Sequence, residues 1–345
     1  MQRIHTRAFL DSVGLVAMVG LVLPLGAGTA DAFHGSNYCS NTAWLQYIAC
    51  KSEIKDDLFS QRAICLNISD DAERDECIDE ASANLEEARD ECRGQLRARR
   101  DLCQDLGEGR YDPSFDPEDF QTEFDNLNPY LPLAPGNAWV YESEDETVTV
   151  EVLNKTKLIE GVTCIVVNDI VDEDGELAED TDDWFGQRKD GTIDYCGEES
   201  KDYEFFEGDT PQEPELVEIE GSFKAGRDGD KSGTLFMGTP VVGAKYRQEW
   251  SPSNAEDVAE VLSTTYGHGS DPRFDEFVPE DLILLLCDGN CVVTADTSPL
   301  EPDALEYKFY ARGVGFFFEV KPEDGESLQL IECNVDPKCD ELPEL

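Results

Sequence analysis

Hydrophobic and polar positions along this chain change their period twice. Residues 13–25 form an apolar run behind Arg3 and Arg7, and the run ends in small residues and Ala30-Asp31-Ala32. A basic start, a short apolar stretch and a small-residue exit describe a secretory signal peptide over residues 1–32, with the mature chain opening near Phe33. Between residues 39 and 103 apolar side chains recur at helical spacing. Ile54 and Leu58 follow Cys50, Ala81, Leu85 and Ala88 link Cys77 to Cys92, and Leu96 leads on toward Cys103. From Trp139 onward period two takes over. "TVTVEV" alternates, "GVTCIVVNDIV" and "LEYKFYARGVGFFFEV" are rich in β-branched and aromatic residues, and Asp174-Gly175, Asp190-Gly191, Asp288-Gly289 and Asp324-Gly325 supply turns.

The fold class expected from these periods is α+β: an antiparallel helical hairpin over residues 33–109, then a large antiparallel β domain over residues 131–345 with a short C-terminal tail. Residues 110–130, interrupted by prolines and acids, read as a linker. A meander of about ten strands is large enough to curl into a half-barrel or barrel, or to split into a sandwich. "SNAEDVAEVL", residues 253–262, reads as a single helical interruption. After signal cleavage no stretch reaches the roughly 18 to 20 apolar residues of a membrane-spanning helix.

Twelve cysteines in an exported chain imply a disulfide framework. Cys39, Cys50, Cys65, Cys77, Cys92 and Cys103 are spaced by 11, 15, 12, 15 and 11 residues, a series that reads the same in both directions. Taken from outside inward, the pairs Cys39 with Cys103, Cys50 with Cys92 and Cys65 with Cys77 share one midpoint near Asp71, as two antiparallel elements folded about a turn require. Steps of 11 and 15 residues return to nearly the same face of a helix. Asp70 with Glu73 resembles a capping box for the second helix, Gly107 ends it, and Ala63, Ala81 and Ala88 offer part of a small-residue seam. Cys287 with Cys291 and Cys333 with Cys339 are each close enough in sequence to staple a local loop. Cys164 and Cys196 either pair with each other or stay free. An intervening strand separates them, so a buried thiol at Cys164 is an equal alternative.

Seventy-seven acidic against 27 basic residues leave a formal charge of −50, while 40% hydrophobic content suffices for a folded core. Such a charge repels nucleic acid and anionic lipid and attracts cations. "DEDGELAEDTDDWF", residues 172–185, concentrates that charge. Two readings stand for it: a solvated hairpin turning at Asp174-Gly175, or a calcium site drawing on Asp172, Asp174, Glu176, Asp180, Asp182 and Asp183, calcium being the one cofactor considered. The glycine is misplaced for an EF-hand and the flanks read as strands. Motifs for common hydrolases and nucleotide sites are missing. His268, in "YGHGSDPRFDE" with Ser270, Asp271 and Asp275, is the sole catalytic candidate, by proximity in sequence alone.

"NPYLPLAPGNAWVYE", "GVTCIVVNDIVDEDGELAEDTDDWFGQRKDG", "SPLEPDALEYKFYARGVG" and "LGEGRYDP" resemble motifs of uncharacterised exported bacterial proteins whose β-rich domain opens with a P-L-x-P-G-x-x-W-x-Y-E segment, preceded by a cysteine-rich helical segment. Cys287, Cys291, Cys333 and Cys339 depart from that pattern. The resemblance implies a domain plan and an exported location, periplasmic or extracellular, and no catalytic residues. The functional expectation is a non-enzymatic binding or assembly protein for a protein partner or an apolar ligand, with no nucleic-acid partner. A calcium-dependent structural or adhesion protein is the first alternative, and an exported hydrolase the second.

Overall fold

The structure, a computed structural model, describes residues 37–124, 127–206 and 208–343; the expected signal peptide lies outside them. Two compact units divide the chain, Met1–Arg110 and Tyr111–Leu345. In the first, helices α1 (Tyr38–Cys65) and α2 (Asp71–Leu106) are laddered by Cys39–Cys103, Cys50–Cys92 and Cys65–Cys77, with Cα separations of 5.6, 6.0 and 5.6 Å. The expected nesting about one midpoint is therefore present. The Asp70 carboxylate accepts from the N–H groups of Ala72 and Glu73 at 2.8 and 3.1 Å, which caps α2. At the other end Gly107 takes a φ of 90° and its N–H returns to the Cys103 carbonyl.

Ala43, Ala81, Cys65, Cys92 and Cys103 make the buried seam. Ala63, expected there, is exposed. Two residues before Cys65 it lies roughly 200° around the helix, on the solvent side.

The second unit is one antiparallel sheet. Strands β1 (Ala138–Glu142), β2 (Glu146–Ile159), β3 (Val162–Glu173), β4 (Glu176–Gln187) and β5 (Ile193–Glu199) follow one another as neighbours. The short β6 (Asp202–Glu204) and β7 (Glu215–Glu218) form a side flap on β4, and β8 (Lys231–Phe236) returns to β5. Then come β9 (Lys245–Arg247), β10 (Glu249–Trp250), β11 (Val258–Tyr266) and β12 (Cys291–Thr297). The last three are β13 (Glu306–Ala311), β14 (Gly315–Val320) and β15 (Ser327–Cys333).

The main path runs β10-β8-β5-β4-β3-β2-β1-β15-β14-β13-β12-β11-β9. Its two ends are consecutive in the chain, with Gln248 alone between them: β9 pairs with β11 at one edge and β10 with β8 at the other. One bent stretch thus ties both edges together, and the sheet is a nearly closed barrel with little free edge.

The expected helix at residues 253–262 is not formed; Val258–Tyr266 is strand β11, held between β9 and β12. Val258 and Val261 fit a helical stripe, but β-branched residues flanked by two ladder partners gain more in the sheet. The helices of this unit follow instead, as α3 (Pro272–Asp275) and α4 (Glu280–Leu286). The Phe274 ring of α3 meets those of Tyr266, Tyr307 and Phe309 at 5.5, 5.4 and 5.8 Å. Tyr307 and Phe309 therefore face α3. Alternation then sends Glu306, Lys308 and Tyr310 to the opposite, concave face. The P-L-x-P-G-x-x-W-x-Y-E segment opens β1, where Trp139 donates to the Val314 carbonyl at 2.8 Å and Tyr141 to that of Phe316 at 3.2 Å.

All twelve cysteines are paired. Cys287–Cys291 and Cys333–Cys339 close the two local loops. Cys164–Cys196 joins β3 to β5 across β4, with Cα atoms 6.8 Å apart. Two strand spacings amount to about 9.5 Å, too far for a disulfide. Cys196 closes the gap because it sits in an irregularity of the β4–β5 ladder, between Tyr195, opposite Phe185, and Gly197, opposite Trp184. Gly186 of β4 leaves the bridge room: a Cβ there would stand 3.2 Å from the Cys196 sulfur. Phe120, from the stretch read as linker, is buried in the same cluster as the bridge, and Phe115 meets it edge-on.

Candidate functional site: an acid-walled recess

Strand alternation divides the acidic stretch that the sequence presents as one cluster. Across the β3–β4 ladder Ile165 faces Phe185, Val167 faces Asp183 and Asp169 faces Thr181. Directly opposed residues share a face. Asp169, Thr181 and Asp183 therefore lie on one face with Glu179, whose carboxylate receives the Thr181 hydroxyl at 2.6 Å and which lines the concave side of the sheet. Asp180 and Asp182 project the other way. The Asn168 amide holds them at 2.8 and 3.4 Å, and Lys201 lies 3.7 Å from Asp180. Asp174 and Gly175, with φ of 52° and 82°, make the hairpin turn, closed by the Glu173–Glu176 pair with Asp172 opposite Leu177 next along the ladder. The six calcium candidates are thus spread over a turn and two faces. Among the described residues no group of three or more His, Cys, Asp or Glu is arranged to hold a metal ion.

On the concave side a recess of about 510 Å³ opens, walled by Glu179 and Glu198 of β4 and β5, Glu249 of β10, Asp257, Asp296 of β12, and Glu306 and Lys308 of β13. Strands distant in the sheet order meet there because the sheet curls. Among the described residues Lys308 is the one cation of this wall, and it lies 3.2, 3.4 and 3.8 Å from carboxylate oxygens of Glu319, Glu306 and Asp296. Burial would lower its pKa, but those three carboxylates outweigh burial and hold it well above the usual lysine value. Asp296 is also fixed by the Thr294 hydroxyl at 2.6 Å and the Gln248 amide at 3.3 Å.

The opposite wall lacks such a counter-charge. The Tyr195 hydroxyl lies against both the Glu198 carboxylate, at 2.8 Å, and that of Asp183. One phenol carries one proton, so it donates to one of them; the other needs a proton of its own to complete the arrangement. Burial first, then neighbouring carboxylates, push Asp183 up to about 7 and Glu198 up to about 8, against the stabilising proximity of the Tyr195 hydroxyl. Burial, then Asp257, Glu198 and Asp183, raise Glu249 well above the ordinary range. Glu249 lines the recess partly buried, and no donor among the described residues makes a hydrogen bond or ion pair with its carboxylate. Ser232, opposite Glu249 in the β8–β10 ladder, has a buried hydroxyl without a partner, and Asp169 has a buried Oδ1 without one.

His268 is not among the residues lining this recess; its Nε2 lies 3.5 Å from Glu280. Its sequence neighbours serve the backbone. Ser270 receives the Gly267 N–H, Asp275 receives the Gly269 N–H and the Tyr266 hydroxyl, and Asp271 caps α3 and pairs with Arg273 at 2.6 Å. Sequence reasoning missed Glu198, Glu249, Asp257, Asp296 and Lys308. The available signal was a lysine and acids at alternate positions of strands whose other face is aromatic, as in "LEYKFYA". No family model matches this chain, and no curated protein or solved structure is similar to it.

Proposed function

We propose that this chain is an exported, non-enzymatic binding protein whose ligand site is the recess between β4–β5 and β12–β13. The observation that carries the reading is the convergence of side chains from five strands on a concave space of about 510 Å³ walled mainly by carboxylates. Small-molecule sites commonly have this concave form. Six disulfides support an oxidising location, periplasmic or extracellular. The apolar ligand weighed from sequence fits less well, since carboxylates dominate the wall.

A thermal-shift panel of cations, sugars, organic acids and lipids tests the site, with Ala304→Trp filling the recess. At least one class is expected to raise Tm beyond matched sodium chloride, by about 5 °C or more at a hundredfold over Kd, and to lose that effect in Ala304→Trp. Shifts of equal size in the filled variant, or none in either protein, would exclude the recess as the site. The proton shared by Asp183, Tyr195 and Glu198 favours a second reading, an exported hydrolase with Glu198 as its acid. Turnover of an oligosaccharide or ester that vanishes in Glu198→Gln would replace the first reading with the second.

A further inference from the structure

We infer that this chain assembles with further copies of itself, the outer face of α1 in one copy seated on the β6–β7 flap of the next. The inference is independent of the recess. Steps of three, four or seven residues follow one side of α1 from Leu45 through Ile48, Lys55, Phe59 and Arg62 to Leu66 at its end. At about 100° per residue that side points away from Cys39, Cys50 and Cys65, so the hairpin's own seam does not cover it. Phe59 and Leu66 are 66% and 69% exposed, and Trp44 extends the apolar surface beside Leu45 and Ile48. The row carries Lys55 and Arg62 and no acid, with Lys51 and Asp56 on its opposite margins. In a chain of charge −50 this is an exposed apolar face whose own charges are cations.

The flap has the complementary character. Residues 202–223 hold eight acids and no lysine or arginine. Leu216 and Ile219, 54% and 62% exposed, stand among Glu215, Glu218 and Glu220. Among the described residues β7 pairs with β6 alone, so one edge of this two-stranded ribbon is open, and such a ribbon is of marginal stability by itself. Seating α1 on it buries apolar surface from both copies and sets Lys55 and Arg62 against Glu215 and Glu220. Whole chains of charge −50 repel one another, but at about 0.15 M salt the Debye length is about 8 Å and the local pairs decide the contact. An anionic lipid surface is the weaker match for the α1 row, because it presents continuous negative charge to the acidic remainder of the chain.

The two surfaces differ, so the contact is head-to-tail and repeats into an open chain or a ring. Sedimentation velocity of the full mature protein in about 0.15 M sodium chloride tests it. The contact is small, so association is expected in the weak range, at about 10 to 100 µM, with the sedimentation coefficient rising beyond that of a dimer. At about 10 mM salt, where the Debye length is about 30 Å, repulsion between whole chains should suppress it. Lys55→Glu/Arg62→Glu and Glu215→Lys/Glu220→Lys should each weaken association about tenfold or more. An equimolar mixture of the two variants should restore it, because each reversed surface then meets its opposite. All four positions are exposed, so both variants should keep the wild-type circular dichroism and Tm. A monomer at every concentration, or a mixture no more associated than either variant alone, would overturn the inference. Pelleting with phosphatidylglycerol vesicles that is lost in the α1 variant and kept in the flap variant would also overturn it, giving the α1 face to a lipid surface.

Discussion

The two units are held together by different means. The hairpin buries few side chains: Ala43, Leu58, Ala81 and Leu102 beside the cysteines, with Gln46 and Arg99. Leu45, Phe59, Ile64 and Leu66 remain more than half exposed. Two helices in contact along one seam cannot enclose their own apolar residues, so covalent staples supply what burial does not. The β unit instead buries a large apolar cluster against its sheet, including Tyr141, Phe185 and Leu330 and, under the short helices, Phe309 and Phe318. That surplus of buried surface tolerates a row of carboxylates on the concave face. The difference shows where each kind of chemistry can sit: in the barrel, burial lowers the local dielectric and raises the proton affinity of acids such as Asp183 and Glu198.

Reduction should produce the largest difference. On the chain-entropy account a bridge spanning 64 residues contributes about 4 kcal/mol and one spanning 12 about 3 kcal/mol, together more than a two-helix seam can replace. Thiol treatment of the full protein is expected to abolish most of the helical circular-dichroism signal and expose the hairpin to protease, while near-ultraviolet signals from the barrel aromatics persist. Simultaneous loss of both would show that the barrel depends on its bridges too.

The sequence declares these units unequally. Cysteine spacing fixes the hairpin because a helix has one period and a disulfide a narrow distance range, so Cys39–Cys103, Cys50–Cys92 and Cys65–Cys77 follow from position alone. Only the seam is misjudged, at Ala63, where rotation about the axis matters. In the β unit alternation and Asp-Gly turns reveal strands, but neither says which face is concave. On β13 both faces carry bulky residues, Tyr307 and Phe309 toward α3 and Tyr310 toward Phe236. Hence Lys308 reads as surface charge, and Glu249, in a two-residue strand, has no period to betray it. Cys164–Cys196 eluded the spacing argument because the ladder irregularity at Cys196 and the role of Gly186 are properties of the folded sheet.

pH should separate the units by a smaller amount. Asp183 and Glu198 carry folded pKa values of about 7 and about 8, above the ordinary carboxylate range. Between about pH 4 and those values the folded barrel binds more protons than the unfolded chain, so its stability is full below pH 4 as far as these groups decide it, and falls as pH rises through 7 to 8. The two acids share one hydroxyl and do not add independently, so a loss of about 3 kcal/mol between pH 5 and pH 8.5 is expected. Urea titrations followed by barrel fluorescence measure it. Asp183→Asn should flatten the slope; an unchanged slope would move the proton elsewhere in the recess.

The smallest effect tests whether the barrel's own bridge is as indispensable as the hairpin's. Gly186→Ala places a methyl 3.2 Å from the Cys196 sulfur and 3.0 Å from the Phe120 ring. Neither neighbour can withdraw freely, because the sulfur is tied to Cys164 and Phe120 is buried in the same cluster. Overpacking of one methyl in such a place costs about 1 to 2 kcal/mol. If the barrel's stability comes mainly from its aromatic core, Gly186→Ala should lower the urea midpoint modestly and leave the bridge formed, as peptide mapping without reductant would show. The double variant Cys164→Ala/Cys196→Ala should also still fold, and adding Gly186→Ala to it should cost less than in the bridged protein, since the displaced sulfur is gone. Failure of the double variant to fold would place the barrel with the hairpin, as a unit that closes only when stapled.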